Sequence, residues 1–215
     1  MELIRQFVDI FVHLDAHLGA IVTDYGAWTY AILFLIIFAE TGLVVTPFLP
    51  GDSLLFAAGA LAANGSMNVW FLALILFVAA VIGDSVNYAI GARLGVRVFK
   101  DDARVLKTEY LRRTEKFYEK YGGKTIVIAR FVPIVRTYAP FVAGCSRMHY
   151  PRFISYNILG GFMWVMLFTF GGYFFGNIPF VQENFGLVVI VIIVLSIIPA
   201  IAEIVKHRLG EPDRV

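Results

Sequence analysis

Apolar residues fall along this chain in runs of two different lengths. Residues 68–92, 152–176 and 185–205 form the long runs, and the second carries no charge after Arg152. Crossing the hydrocarbon core takes about 20 apolar residues of helix. A spanning segment must also satisfy its backbone hydrogen bonds internally, so all three are predicted as transmembrane helices. Residues 28–39 and 53–63 are apolar but too short to cross. The stretch joining them, "FAETGLVVTPFLPGDS" (38–53), sets Glu40 and Asp52 at hydrophobic depth, with Pro47, Pro50 and Gly51 between them. A second interrupted run, "KTIVIARFVPIVRTYAPFVAGCSRM" (124–148), contains Arg130, Arg136, Pro133, Pro140 and Gly144. Proline removes a backbone donor and breaks a helix locally. Each interrupted run is therefore predicted as a re-entrant hairpin broken at these prolines and glycines. Such backbone survives at depth only inside protein or beside a wet cavity.

The two hairpins resemble each other. "DYGAWT" (24–29) is similar to "KYGGKT" (120–125), and "TPFLPG" (46–51) to "APFVAG" (139–144). Each precedes a span that ends in GxxxG, at Gly91 and Gly95 or at Gly172 and Gly176. Each also follows an amphipathic stretch. One has apolar positions 3, 4, 7, 11, 14 and 18, and the other Leu106, Tyr110, Phe117 and Tyr121, which predicts two helices lying in the membrane interface. The expected architecture is all-α and forms one membrane domain over 1–215. Its parts are an inverted repeat of 1–95 and 104–176 and a C-terminal transmembrane helix over 185–206.

Composition agrees with a membrane class. The chain is 59% hydrophobic and 16% charged, with a mean hydropathy of +0.76; soluble domains run near 45–50% and about 25%. The start, "MELIRQFVDIF", has Glu2 and Asp9 and lacks the basic lead and cleavage site of a signal peptide, so it is expected to be retained. The single cysteine, Cys145, excludes an internal disulfide and a CxxC metal site and is read as a packing residue. Charge distribution sets orientation. Residues 1–92 hold one of the 18 Lys and Arg residues, Arg5, whereas 93–152 hold 14. The positive-inside rule places 93–124 in the cytoplasm. The first hairpin then opens outward, the second opens to the cytoplasm, and the C-terminus is cytoplasmic. The basic run is read as a topology signal and a contact for anionic lipids, not for nucleic acid.

"FAETGLVVTPFLPGDSLLFAAGALA", "GDSVNYAIGARLG", "YGGKTIVIARFVPIVRTYAPFVAG" and "GYFFG" together resemble the DedA family of bacterial inner-membrane proteins over essentially the whole chain. The resemblance implies opposed re-entrant hairpins and membership of the DedA/VTT superfamily of lipid transporters and scramblases. It also implies recycling of undecaprenyl phosphate, proton-dependent envelope maintenance, and functional roles for the acidic pair Glu40 and Asp52 and the arginine pair Arg130 and Arg136.

If the hairpin tips meet at the midplane, these four residues form one cluster. Arginine suits a phosphate because its guanidinium is a fixed fork of donors that stays ionised. Arg130 and Arg136 are therefore expected to bind the lipid phosphate. Desolvated carboxylates suit a proton-coupled step, so Glu40 and Asp52 are expected to couple protons. Asp84, Asn87, Tyr88, Tyr138 and Asn157 are candidates for supporting the pathway, or for tying helices together. Trp28, Trp70, Tyr150 and Tyr173 are read as interfacial aromatics. His13, His17, His149 and His207 are scattered, and neither metal nor cofactor is expected. The expected partners are polyprenyl phosphate or phospholipid headgroups, protons, membrane lipids and a second copy of the chain. The leading function is lipid-phosphate flipping, with proton-coupled transport of small ions or solutes as the alternative. The sequence offers no constellation for hydrolysis.

Overall fold

The computed structural model describes residues 14–43, 51–99, 108–188 and 190–192, and every regular element among them is helical. In chain order these are α1 (Leu14–Tyr25), α2 (Trp28–Gly42), α3 (Gly51–Ala63), α4 (Val69–Leu94), α5 (Thr108–Tyr121), α6 (Thr125–Ala129), α7 (Pro133–Cys145), α8 (Tyr150–Phe175) and α9 (Pro179–Glu183). Helix resumes at 185, where the third span was predicted to begin. The rest of that span, from 193, lies outside the described residues, as do residues 1–13 of the first amphipathic stretch, Leu106, Pro47 and Pro50.

The long helices follow from the long apolar runs. Both α4 and α8 have 26 residues, about 39 Å at 1.5 Å per residue, which exceeds the roughly 30 Å hydrocarbon core. Asn68 starts α4 by accepting from the N–H groups of Trp70 and Phe71, each at 3.0 Å. Gly95, at φ 69, ends it. Large apolar side chains stand exposed on both helices, among them Leu74 and Ile82 on α4 and Phe162, Leu167 and Phe174 on α8. Lipid accounts for such a surface; water does not.

The interrupted runs give short helices. With 15 and 13 residues, α2 and α3 are about 22 and 20 Å long, too short to cross. In the second run α6 has only 5 residues and α7 has 13. The break there falls at 130–132, where Val132 turns extended (φ −124, ψ 104), and Pro133 opens α7. Two expected breaks are not breaks. Helix α7 runs through Pro140 and Gly144 to Cys145, because Pro140 costs one ladder bond rather than the whole helix. Gly51 is the first residue of α3.

Packing exchanges the two halves. α2 lies on α4 and α6 on α8, while α3 lies on α8 and α7 on α4. Thus the first helix of each short pair packs on the long helix that follows it, and the second packs on the other long helix. Glycines allow the closest approaches. A Cβ on Gly144 would collide with the backbone of Tyr88 and Ala92, and one on Gly91 with the backbone of Phe141. The same contact recurs at Gly59 against Thr169 and at Gly172 against Phe56. This repetition pairs "FAAG" (56–59) with "FVAG" (141–144), a different register from the "TPFLPG" likeness, most of which lies outside the described residues.

The amphipathic helices also join the body. Leu18 of α1 is buried in the main apolar cluster with Leu33, Leu55, Leu72 and Trp164. On α5 the packed face runs through Leu111 and Thr114 as well as Tyr110. The Tyr118 hydroxyl donates to the Ala139 carbonyl on α7 at 2.9 Å. Tyr110 and Tyr121 of the predicted stripe lie on this packed face, so a protein surface takes the apolar side of the helix.

A buried ion-pair cluster as the candidate functional site

The site forms where helix ends meet long-helix faces. Glu40 lies in the last turn of α2 and Asp52 in the first turn of α3, where a carboxylate faces the positive end of the helix. Arg130 closes α6 and Arg136 lies in the first turns of α7. From α4 come Asp84 and Asn87, three residues apart on one face. From α8 come Asn157, Gly160, Gly161 and Trp164, spaced as one helical face.

Arg136 joins the two short-helix pairs. Its Nη1 donates to Asp52 Oδ1 at 2.8 Å and its Nη2 to Glu40 Oε1. Glu40 Oε1 also accepts from the Gly51 backbone N–H at 3.2 Å. A Cβ on Gly51 would overlap the Glu40 carboxylate, so this position admits only glycine without rearrangement. Asp52 Oδ1 accepts a further bond from Trp164 Nε1 at 2.7 Å, and the same indole lies 4.3 Å from the Arg136 guanidinium carbon. A single tryptophan therefore touches both members of an ion pair.

Arg130 pairs elsewhere. Its Nη2 donates to Asp84 Oδ2 and to Asn157 Oδ1, both at 2.5 Å. Asn157 in turn donates to the Val81 carbonyl at 3.0 Å. Gly160 and Gly161 leave the room that Arg130 occupies. The four-residue cluster expected from the sequence is therefore two adjacent ion-pair groups. Arg136 is held by the first short-helix pair and Arg130 by the long helices. The Trp164 ring lies near both, with the Arg130 guanidinium 5.9 Å away.

The side chains of Arg130, Asp84 and Glu40 are 3%, 5% and 7% exposed, and those of Arg136 and Asp52 12% and 15%. At this burial a lone charge is prohibitive, so the pairing is obligatory. Two guanidiniums face three carboxylates. Among the described residues Glu40 Oε2 and Arg130 Nε are buried without a hydrogen-bond partner.

The supporting candidates separate. Asn87 donates to the Thr41 carbonyl at 3.2 Å and to the Thr137 carbonyl at 3.0 Å, so it ties together the residues following Glu40 and Arg136. Tyr88 donates to the Met148 carbonyl and stacks on Phe153 at 4.5 Å, near the entrance to α8. Tyr138 is buried against Tyr110 and Phe99, on a different face of α7 from the ion pairs. Trp164 was not anticipated. Its signal was the spacing Asn157, Gly160, Gly161, Trp164 within an otherwise apolar span.

Similarity to known proteins places the chain in a family. A model described as the VTT domain matches residues 49–174. Over 211 residues the chain is 54% identical to the protein DedA of Escherichia coli K12, covering 97% of this chain and 96% of that one. The chain belongs to the DedA family. Within the family it is 37% identical over 180 residues to the inner membrane protein YqjA of Escherichia coli K12, covering 83% and 81% of the two chains. It is 44% identical over 168 residues to an uncharacterised membrane protein of Mycobacterium leprae, covering 78% and 75%. No solved structure matches. Together with the long apolar helices α4 and α8, these relatives make this DedA-family chain a membrane protein. The matched domain holds Asp52, Asp84, Arg130, Arg136, Asn157 and Trp164, and Glu40 precedes it.

Proposed function

We propose that this protein is a multi-pass transporter of the bacterial inner membrane that moves a lipid phosphate, in the first instance undecaprenyl phosphate, across the bilayer. The observation carrying this reading is Arg136. Its two terminal nitrogens each hold an anionic oxygen, one from α2 and one from α3. A phosphate monoester offers two oxygens to the same fork. Exchange of Glu40 and Asp52 for the phosphate loads the site, and their return releases it. Arg130 adds a second positive charge from across Trp164. Glu40, whose Oε2 is buried without a partner among the described residues, is the group we assign to proton coupling. The polyprenyl tail needs no pocket, because it stays in the bilayer while the headgroup crosses.

The short helices support two re-entrant hairpins, and the repeated glycine contacts support their being an inverted repeat. This predicts opposite accessibility. In a Cys145→Ser background, a cysteine at Gly65, in the loop between α3 and α4, reacts with an impermeant thiol reagent from outside. A cysteine at Lys116, on α5, reacts from the cytoplasm only. Labelling of both from one side contradicts the arrangement. We read the buried charges as a transport site rather than a catalytic one, because each described partner of the arginines is a carboxylate or an amide and not a nucleophile with its base. The function is tested in liposomes. The purified protein moves undecaprenyl phosphate between leaflets and leaves phosphatidylcholine behind. Movement of small solutes without lipid favours the alternative, a proton-coupled transporter of ions or solutes.

A further inference from the structure

We propose that Trp164 is a positioning residue for anion exchange, holding the Asp52 carboxylate and the Arg136 guanidinium in place while they separate. The inference rests on Arg136 being the phosphate-binding group. Trp164 is completely buried in the middle of α8, yet its indole is not merely a core ring. Its N–H donates to Asp52 Oδ1, the same oxygen that accepts from Arg136 Nη1. Its face lies against the Arg136 guanidinium.

Consider what loading does to each partner. A phosphate that takes Arg136 Nη1 leaves Asp52 Oδ1 without its cation inside protein. A buried anion that loses its cation is strongly disfavoured, which by itself would oppose loading. On this reading the indole N–H stays on that oxygen; indole is a donor only, so it cannot accept from the freed guanidinium instead. Meanwhile Arg136 turns across a π face that attracts cations in any in-plane orientation. Because α8 is a long helix and both short-helix pairs pack on it or on α4, the indole is a fixed reference for groups carried by the shorter elements. Trp164 thus lowers the barrier to exchange more than it strengthens either end state.

The test separates rate from affinity. Trp164→Phe keeps the ring and removes the N–H. It is expected to slow undecaprenyl phosphate transport at saturating lipid about 10- to 100-fold, the range expected for losing one hydrogen bond to a charged group. The half-saturating concentration should move less than about threefold, and rates are compared at equal folded protein because the smaller ring and the lost N–H also lower thermal stability. Equal transport rates for Trp164→Phe and wild type overturn the inference while leaving the lipid-phosphate reading intact. Absence of any lipid-phosphate transport by wild type overturns both. A second readout covers a poorly folded variant. With Trp28→Phe and Trp70→Phe, both exposed in the native protein, Trp164 is the only indole left. Dodecyl phosphate should then change its emission saturably, and dodecylphosphocholine should not. A response to inorganic phosphate equal to that for dodecyl phosphate assigns the site to the free anion and overturns the lipid assignment. No response to either anion overturns the inference.

Discussion

Asp84→Ala is expected to lower stability by about 3–5 kcal/mol, the cost of removing one partner from a buried ion pair. Arg130 is 3% exposed, and its Nη2 donates to Asp84 and to Asn157. Alanine at this position leaves that guanidinium one neutral amide oxygen and no directly paired carboxylate. The variant should accumulate poorly in the membrane and unfold at a markedly lower temperature in detergent. The double variant Arg130→Met, Asp84→Leu removes both charges and replaces them with apolar groups, which is often neutral for a buried pair. It should recover most of the lost stability, less a penalty of about 1–3 kcal/mol for stranding the Asn157 oxygen. Abundance and thermal melting of the single and double variants measure this. A single variant as stable as wild type would show that Asp84 does not hold Arg130.

Glu40→Gln should do the opposite and remove function while sparing the fold. The structure gives Arg136 a second carboxylate in Asp52, so the guanidinium keeps a counter-ion. The substituted side chain's carbonyl can still accept from Arg136 and from the Gly51 N–H, but its amide then points where Oε2 has no described partner. That places the stability cost near the 1–3 kcal/mol of roughly one unsatisfied polar group. If Glu40 takes up and releases a proton each cycle, the amide cannot follow. Coupled transport should fall at least about 100-fold, and what remains should not vary with pH. Glu40→Asp keeps a titrating group on a shorter arm, and should retain part of the transport with a displaced pH profile. Transport at several pH values, normalised to protein in the membrane, distinguishes the cases. Full activity of the Glu40→Gln variant at every pH would remove Glu40 from the mechanism.

The separation of long from short apolar runs was legible in the sequence because it is a matter of length against bilayer thickness, a constraint without local exceptions. Hence α4 and α8 appear within a few residues of the predicted spans. The break at Pro133 was legible for a similar reason, whereas Pro140 and Gly144 were not breaks. A proline inside a helix costs one bond, and the sequence does not say whether packing on α4 offsets it. The four charged residues were legible as buried because nothing else puts them in apolar runs. Their partners were not. Arg130 on Asp84 and Arg136 on both Glu40 and Asp52 depend on which long helix each short helix crosses. That crossing is set by Gly59, Gly91, Gly144 and Gly172; the sequence marks Gly91 and Gly172 as GxxxG positions and Gly144 as a break, but does not say which helix each one meets. Trp164 escaped because a tryptophan inside a span looks like any other large apolar residue until its N–H is matched to an acceptor.

The proposed exchange of two carboxylates for two oxygens of a lipid phosphate would require the planar fork of Arg136, and Arg136→Lys removes that fork alone. Lysine keeps the positive charge beside Glu40 and Asp52, so the variant should fold and reach the membrane at near wild-type levels. Its ammonium is a point charge and cannot present two donors in a fixed plane. The measurement is the initial rate at which liposomes containing each protein transfer undecaprenyl phosphate between leaflets, at equal protein content. Arg136→Lys should lower that rate at least about 100-fold, comparable to the loss of most of two charge-assisted hydrogen bonds. Wild-type transport by the lysine variant would show that charge alone suffices, and would contradict recognition of the phosphate by the guanidinium fork.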